Sequence, residues 1–339
     1  MTTAGGSPEL LSRAASGDEV AFSAVVAPYE RPLFRHCYRM LGSGPDAEEA
    51  LQDTLLRAWR RIATFDASGT LGGWLYRIAT NVCLDALRSK RGRTDPVTFG
   101  PASAPGSMPT APDPELTWVE PVGDASLMSS GDPQSELLRK EDISLAFIAA
   151  LQRLPPRQRA CLLLHDVLGF TQGEVAVALD ISAASTNSLL YRARQAARPR
   201  GQEGSLDVSD PRAQDLLERY LEAWHLADID AFVALVAEDV RLSMPPLSEW
   251  FDGVAAVAGF IEQAIFSAAR PYGVALVPGR CNGQGAFAVY QPGPDGSLVA
   301  GGLQIVTISE RNGEALITDI VSYRSPELVV RCGLPDRIG

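Results

Sequence analysis

Between Pro96 and Ser135 the chain carries eight of its 24 prolines, at positions 96, 101, 105, 109, 112, 114, 121 and 133, with Gly, Ser, Thr and Ala filling most of the remainder. Proline has no amide hydrogen and a fixed φ, so a run this dense passes through neither a helix interior nor a central strand. The stretch is expected to be an extended linker, and the chain on either side of it to fold as separate blocks. A shorter break of the same kind, Pro199 to Pro211, marks off the last third. The expected organisation is therefore a block at 8–95, a linker at 96–135, a second block at 136–200 and a third at 206–339. Three blocks suit 339 residues at ~100–200 residues per domain.

Charge is distributed unevenly over these pieces. The formal net charge of −11 excludes a uniformly basic nucleic-acid binder. Residues 1–95 carry 12 basic and 11 acidic side chains and residues 141–205 carry 7 and 6, whereas residues 206–339 carry 9 and 18. Two near-neutral blocks thus sit beside an acidic linker and an acidic last third, and the chain total conceals any local basic face. The five cysteines, Cys37, Cys83, Cys161, Cys281 and Cys332, are odd in number, scattered and free of a C-x-x-C pair. That pattern argues against a disulfide framework and a zinc cluster, and neither metal nor cofactor is expected. No apolar run approaches the ~18 residues of a membrane span, and MTTAGGSPEL lacks a basic-then-apolar leader, so a cytoplasmic protein without membrane contact is expected.

In the first block Ala47, Ala50, Leu51, Leu55, Ala58, Trp59 and Ile62 recur at helical spacing after Gly44-Pro45. Asp46, Glu48 and Glu49 fill the first turn, where the helix dipole favours carboxylates. A second helix follows with Leu71, Trp74, Leu75, Ile78 and Val82 as its buried stripe and Arg77, Asn81 and Arg88 on a polar face. It ends in the basic run Arg88, Lys90, Arg91, Arg93, which taken alone reads as a solvated helix end. The second block contains TQGEVAVALDISAASTNSLLYRARQAAR. Glu174, Val175, Ala176 and Leu179 predict a short helix, Asp180-Ile181-Ser182 a tight turn with Ser182 as N-cap, and Thr186, Leu189, Leu190 and Ala193 the stripe of a second helix. This is helix-turn-helix spacing. It leaves Ser185, Asn187, Ser188, Tyr191, Arg192, Arg194 and Gln195 outward, side chains able to reach phosphates or base edges. In the last third, a stripe of Leu216, Leu217, Tyr220, Leu221 and Trp224, then DIDAFVALVAEDV and GVAAVAGFIEQAIF, predict three helices. The runs YGVALVPG, GAFAVYQP, SLVAGGLQIVTISE and ALITDIVSYRS, bounded by Gly, Pro and Asn-Gly turns, predict antiparallel strands.

The segment from Asp46 to Arg88 resembles region 2 of the extracytoplasmic-function sigma factors of the sigma-70 family, and LPPRQRACLLLHDVLGFTQGEVAVALDISAASTNSLLYRARQAA resembles their region 4. The two occur in the right order with a linker between, and together cover roughly residues 8–198. The last third resembles a SnoaL-like cone. The resemblance implies a multidomain fold of two all-α domains plus a C-terminal α+β cone, and a promoter-specificity subunit of RNA polymerase. By residue-for-residue carry-over, Asp46, Glu49, Gln52, Asp53, Leu56 and Arg57 become candidates for docking on core polymerase through its β′ and β subunits. The −10 reader falls on Phe65, Arg77, Asn81, Arg88, Lys90 and Arg91, with Asn81 at the position that pockets a flipped base. The −35 reader falls on Ser185, Asn187, Ser188, Tyr191, Arg192 and Arg194. Here the chain departs from the commonest pattern, with Asn187 and Leu189 at positions usually basic and Ala184 in place of the turn glycine. The phosphate grip then rests on Arg192, Arg194 and Arg198, with Arg157 and Arg159 as further candidates.

Two features keep more than one reading. In the linker, Trp118 and Glu120 of TWVEPVGD either contact polymerase near its cleft or pack on the C-terminal block. In that block Trp224, Trp250, Phe260, Tyr290 and Asp319, with His225, Met244, Phe251 and Arg280, are candidate pocket residues for an unknown small molecule. His36, His165 and His225 fall one per block and no acid-base pairing stands out, so the chain is expected not to be an enzyme. The acidic last third is expected to regulate the DNA-reading blocks in cis. The alternatives are a one-component helix-turn-helix regulator with a ligand-sensing C-terminal domain, which leaves the first block without a role, and a small-molecule enzyme tethered to a DNA-binding module.

Overall fold

The computed structural model describes residues 8–66, 69–89, 93–94, 100–108, 110–113, 116–127, 143–196, 204–267 and 274–339. These fall into two compact units. The first takes residues from 1–93, 127–136 and 147–198; the second takes residues from 94–126, 137–146 and 199–339.

The first unit is all helix. Its elements are α1 (Pro8–Ala15), α2 (Glu19–Leu41), α3 (Gly44–Arg61), α4 (Leu71–Ser89), α5 (Leu145–Gln152), α6 (Pro156–Leu162), α7 (Gln172–Leu179) and α8 (Ala183–Ala196). Local chemistry sets the boundaries. Asp18 caps α2 by accepting from the Ala21 amide, and Gly42 ends it in the left-handed region at φ 71°, its N–H returning to the Tyr38 carbonyl. Ser43 then caps α3, with Pro45 in the first turn. Leu33, Cys37, Tyr38 and Met40 of α2, Ala47, Ala50 and Ala58 of α3, and Leu75, Ala79 and Cys83 of α4 are buried together. Both helical blocks lie in this one unit, and Arg159 of α6 shows why. It is 2% exposed. Its guanidinium donates to the Met40 carbonyl at the C-terminal end of α2, to the Gln152 amide oxygen, and to the carbonyls of Gln152 and Leu154. Gln152 in turn donates to the Arg39 carbonyl at 3.1 Å. A buried cation thus sits at the negative end of the α2 dipole.

The second unit is α+β. Helices α9 (Pro211–Leu226), α10 (Ile229–Val233), α11 (Val254–Phe260) and α12 (Pro326–Arg331) pack with strands β1 (Val236–Ser243), β2 (Trp250–Asp252), β3 (Ala275–Cys281), β4 (Gln284–Pro292), β5 (Leu298–Arg311), β6 (Glu314–Tyr323) and β7 (Arg337–Ile338). The sheet order is β2-β1-β6-β5-β4-β3, with β7 on β5. Among the described strands of this sheet the β1–β6 pairing is parallel and the others are antiparallel. The Asn282-Gly283 and Asn312-Gly313 turns have positive φ at both residues, as two-residue hairpins require. One expected helix is corrected. DIDAFVALVAEDV makes only the short α10, and Val236, Val240 and Leu242 enter the sheet as β1, where pairing with β2 and β6 overrides the helical spacing.

The Pro-rich stretch, expected as an extended connector, joins this second unit in its described part. Thr94 and Trp118 form a parallel bridge, and Gly123 an antiparallel one with Cys281 at the end of β3. The segment is held because it is not uniformly polar: Trp118, Val119 and Val122 are buried.

Candidate functional site

The helix-turn-helix is built as the spacing requires. Thr171 and Glu174 close a capping box at the start of α7, Asp180 ends it in the left-handed region, and Ser182 caps α8 by accepting from the Ser185 amide at 3.2 Å. Thr186, Leu190 and Ala193 are buried against the unit, and Cys161 of α6 donates to the Thr186 carbonyl. The opposite face carries Ser185, Asn187, Ser188, Tyr191, Arg192 and Arg194, all exposed, with Tyr191 at 68%. Arg192 folds onto Ser188, donating to its carbonyl at 3.3 Å and its hydroxyl at 3.0 Å. Arg194 donates through both arms to Asp166, which raises its pKa. Arg157 is exposed. Arg159 is committed to the interior, with burial lowering its pKa to about 10, and Arg198 lies outside the described residues.

On α4, Arg77, Asn81 and Arg88 share the exposed face. The Asn81 amide donates to the Arg77 carbonyl at 2.9 Å, leaving its oxygen outward, and Arg88 donates to Asp85 at 2.9 Å. Phe65 is half-buried, its ring 5.4 Å from Trp74. Lys90 and Arg91 lie outside the described residues. Arg93 pairs with Asp46 at 2.9 Å, both largely shielded.

On α3, Glu49, Gln52, Asp53 and Leu56 recur at i, i+3, i+4 and i+7 and all four are exposed, Leu56 at 46%. Arg57 lies beside them, half-buried and paired with Asp85 at 3.1 Å.

In the second unit Trp118 is 6% exposed and Glu120 half-buried. Their segment is fixed at several points: Tyr323 donates to the Val119 carbonyl at 2.8 Å, Asn282 exchanges two bonds with Val122, and Asp124 accepts from the Gly283 amide. A cavity of about 880 Å³ opens within the same unit. Of the residues expected to form a pocket, Trp224, Met244 and Phe260 line it. Trp250, Tyr290 and Asp319 do not. Trp250 donates to the Gly100 carbonyl, Tyr290 to the Pro335 carbonyl, and Asp319 pairs with Arg241 at 2.8 Å. Its polar wall comes instead from Gln291, Gln304, Ser322 and Arg324, which the sequence reading missed. The signal was the β5–β6 register, which sets Gln304 opposite Ser322. Among the described residues no three His, Cys, Asp or Glu side chains cluster as metal ligands would, and no helix is long and apolar enough to cross a membrane.

Comparison with known proteins agrees with this arrangement. Family models described as Sigma-70 region 2, Sigma-70 region 4 and SnoaL-like domain match residues 25–93, 144–196 and 217–302. The RNA polymerase sigma factor SigG of Mycobacterium tuberculosis, of the extracytoplasmic-function class, is 39% identical over 320 residues, covering 94% of this chain and 85% of that protein. SigJ of the same organism, of the same class, is 30% identical over 290 residues, covering 83% and 85%. The crystal structure of SigJ shares the fold with a TM-score of 0.56 at 24% identity, over 91% of this chain and 100% of that one.

Proposed function

Because the chain belongs to the extracytoplasmic-function sigma factors of RNA polymerase and so directs promoter-specific initiation, we propose how its surfaces divide that work. Sigma factors bind core polymerase and promoter DNA, and act in the cytoplasm where polymerase is. The exposed face of α3, centred on Leu56, docks on core polymerase at its β′ subunit, and region 4 meets the β side. The exposed face of α4 reads the −10 element. There Asn81 takes the edge of an extruded base, while Arg77 and Arg88, joined by Lys90 and Arg91, hold phosphates. The exposed face of α8 reads the −35 duplex, with Asn187 as the base reader and Arg192 and Arg194 on the backbone. The second unit regulates these acts in cis and has a binding role rather than a catalytic one.

The observation that carries the reading is the six-residue polar face of α8 standing over a buried stripe of Thr186, Leu190 and Ala193, in a chain that also holds the α3–α4 block. A one-component regulator needs the first feature and has no use for the second. Transcription with purified sigma-free core polymerase on a promoter library tests it. Discrete start sites that require the chain, and that weaken with Asn81→Ala and Asn187→Ala, are expected. Duplex binding without any initiation would return the one-component reading.

A further inference from the structure

The cavity of the second unit has a chemical bias. Its volume of about 880 Å³ lies in the range of small-molecule sites. Its apolar lining includes Trp224, Met244, Phe260, Ile265 and Val289. Its polar lining includes a row set by strand register, Gln304 opposite Ser322 with Arg324 two residues further on. These groups are rich in donors. The Gln304 oxygen is taken by the Tyr220 hydroxyl at 3.1 Å, which turns its amide hydrogens to other partners. The Trp224 indole N–H is buried, with the Tyr220 hydroxyl as its polar neighbour. Arg324 is exposed at the rim and has no carboxylate partner among the described residues. Among the described residues no acidic side chain lines the cavity.

A second feature lies at the mouth. From the Pro-rich stretch Met108 reaches it, and the described residues on either side of Met108 are tethered. Trp250 exchanges bonds with Gly100 and Ser103, and Glu249 accepts from the amide and hydroxyl of Thr110. Between these tethers Met108, 56% exposed, contributes to the cavity wall. The thioether adapts to irregular apolar partners. This segment is part of the covalent connection between the two DNA-reading blocks.

We propose that the cavity is a binding site for an apolar monocarboxylate, with the hydrocarbon body against Trp224 and Phe260, the carboxylate toward Gln304 and Arg324, and Met108 closing over the ligand so that occupancy fixes the connecting strap. The site rests on the reading of the second unit as a cis regulator and supplies its input. Carboxylate is favoured over ammonium because, among the described residues, the wall holds the Arg324 cation and no carboxylate.

The full chain is titrated with dodecanoate, dodecylammonium and dodecanol below their micellar concentrations, followed by tryptophan fluorescence. Strap protection is followed by the rate of subtilisin cleavage within residues 100–113. One dodecanoate per chain is expected, at least tenfold tighter than dodecylammonium, with slower strap cleavage on binding. Arg324→Gln removes the exposed cation of the wall and should bring acid and amine within twofold. Met108→Glu, also at an exposed position, should weaken dodecanoate at least tenfold. Equal affinity for acid and amine, insensitivity to both substitutions, unchanged cleavage, or no binding up to the solubility limit would each overturn the proposal. The assay contains neither polymerase nor promoter, so its failure leaves the initiation experiment standing, and the reverse holds.

Discussion

His36 turns the packing of α2 against α4 into a titration. Its Nε2 stands 2.9 Å from the Thr80 hydroxyl, and that hydroxyl donates to the Tyr76 carbonyl at 2.7 Å. The hydroxyl hydrogen is therefore used, so the imidazole donates from Nε2 and its Nδ1 is bare. Nδ1 is buried with no partner. Protonation would place a cation there with no acceptor, beside Arg39. Burial first, and the Arg39 charge second, push the imidazole pKa down to about 3. In the unfolded chain it is about 6.5. Between those values the unfolded state holds the proton and the folded state does not, so this residue's contribution to stability falls as pH drops through 6.5 and keeps falling toward 3. At about 1.36 kcal/mol per unit, lowering the pH from 7 to 5 costs about 2 kcal/mol from His36 alone. Urea unfolding of the full chain and of His36→Gln at both pH values measures it through the helical signal. Glutamine keeps a donor for Thr80 and has no proton to gain. The wild type should lose about 2 kcal/mol more than the variant. Equal losses would show that the imidazole charges inside the fold, and the tautomer argument would fail.

Three further outcomes follow from the same structure. Arg159→Met removes four buried, charge-assisted donations and regains part of the guanidinium's desolvation, for a net loss of about 2–4 kcal/mol of stability. A thermal melt of the first unit's helix signal should shift down by several degrees. Trp118→Ala leaves a large void under the segment that Tyr323 and Asn282 hold and should cost about 3–5 kcal/mol in the second unit, read by near-ultraviolet dichroism and by faster proteolysis around residue 118. Arg192→Ala should reduce the salt dependence of duplex binding by about one phosphate contact with little change in sequence preference, whereas Asn187→Ala should lower affinity for the preferred site about tenfold and leave the salt slope alone.

Where local pattern and tertiary demand coincide, the sequence is legible to the residue. The α7–turn–α8 geometry, the Ser182 cap and the outward face of α8 all follow from spacing, because α7 buries Val175, Ala176, Ala178 and Leu179 and α8 buries Thr186, Leu190 and Ala193, which leaves the other face of α8 outward. Legibility ends where a partner distant in the chain decides. β1 has helical spacing and becomes a strand because β2 and β6 take its edges. Arg159 reads as a phosphate ligand because nothing near it in sequence shows that the end of α2 will supply its acceptors, 119 residues away. The cavity was half visible. Its aromatic wall could be guessed from residue type, but Gln304 and Ser322 become one polar row only once strand register is known, and Asp319 is withdrawn from it by Arg241.

The Pro-rich stretch shows most clearly how composition misleads. Eight prolines keep long helices and strands out of its described part, but they do not prevent it from being held. Proline lowers the entropy of the free chain, so each buried anchor along such a segment fixes it at less cost than in a flexible linker. Trp118, Val119 and Val122 supply the anchors. This gives cis regulation a physical lever. The 27 residues from 100 to 126, if fully released, span at most ~90 Å at about 3.4 Å each. Trp250, Glu249, Asn282 and Tyr323 hold the segment's described residues at four points instead.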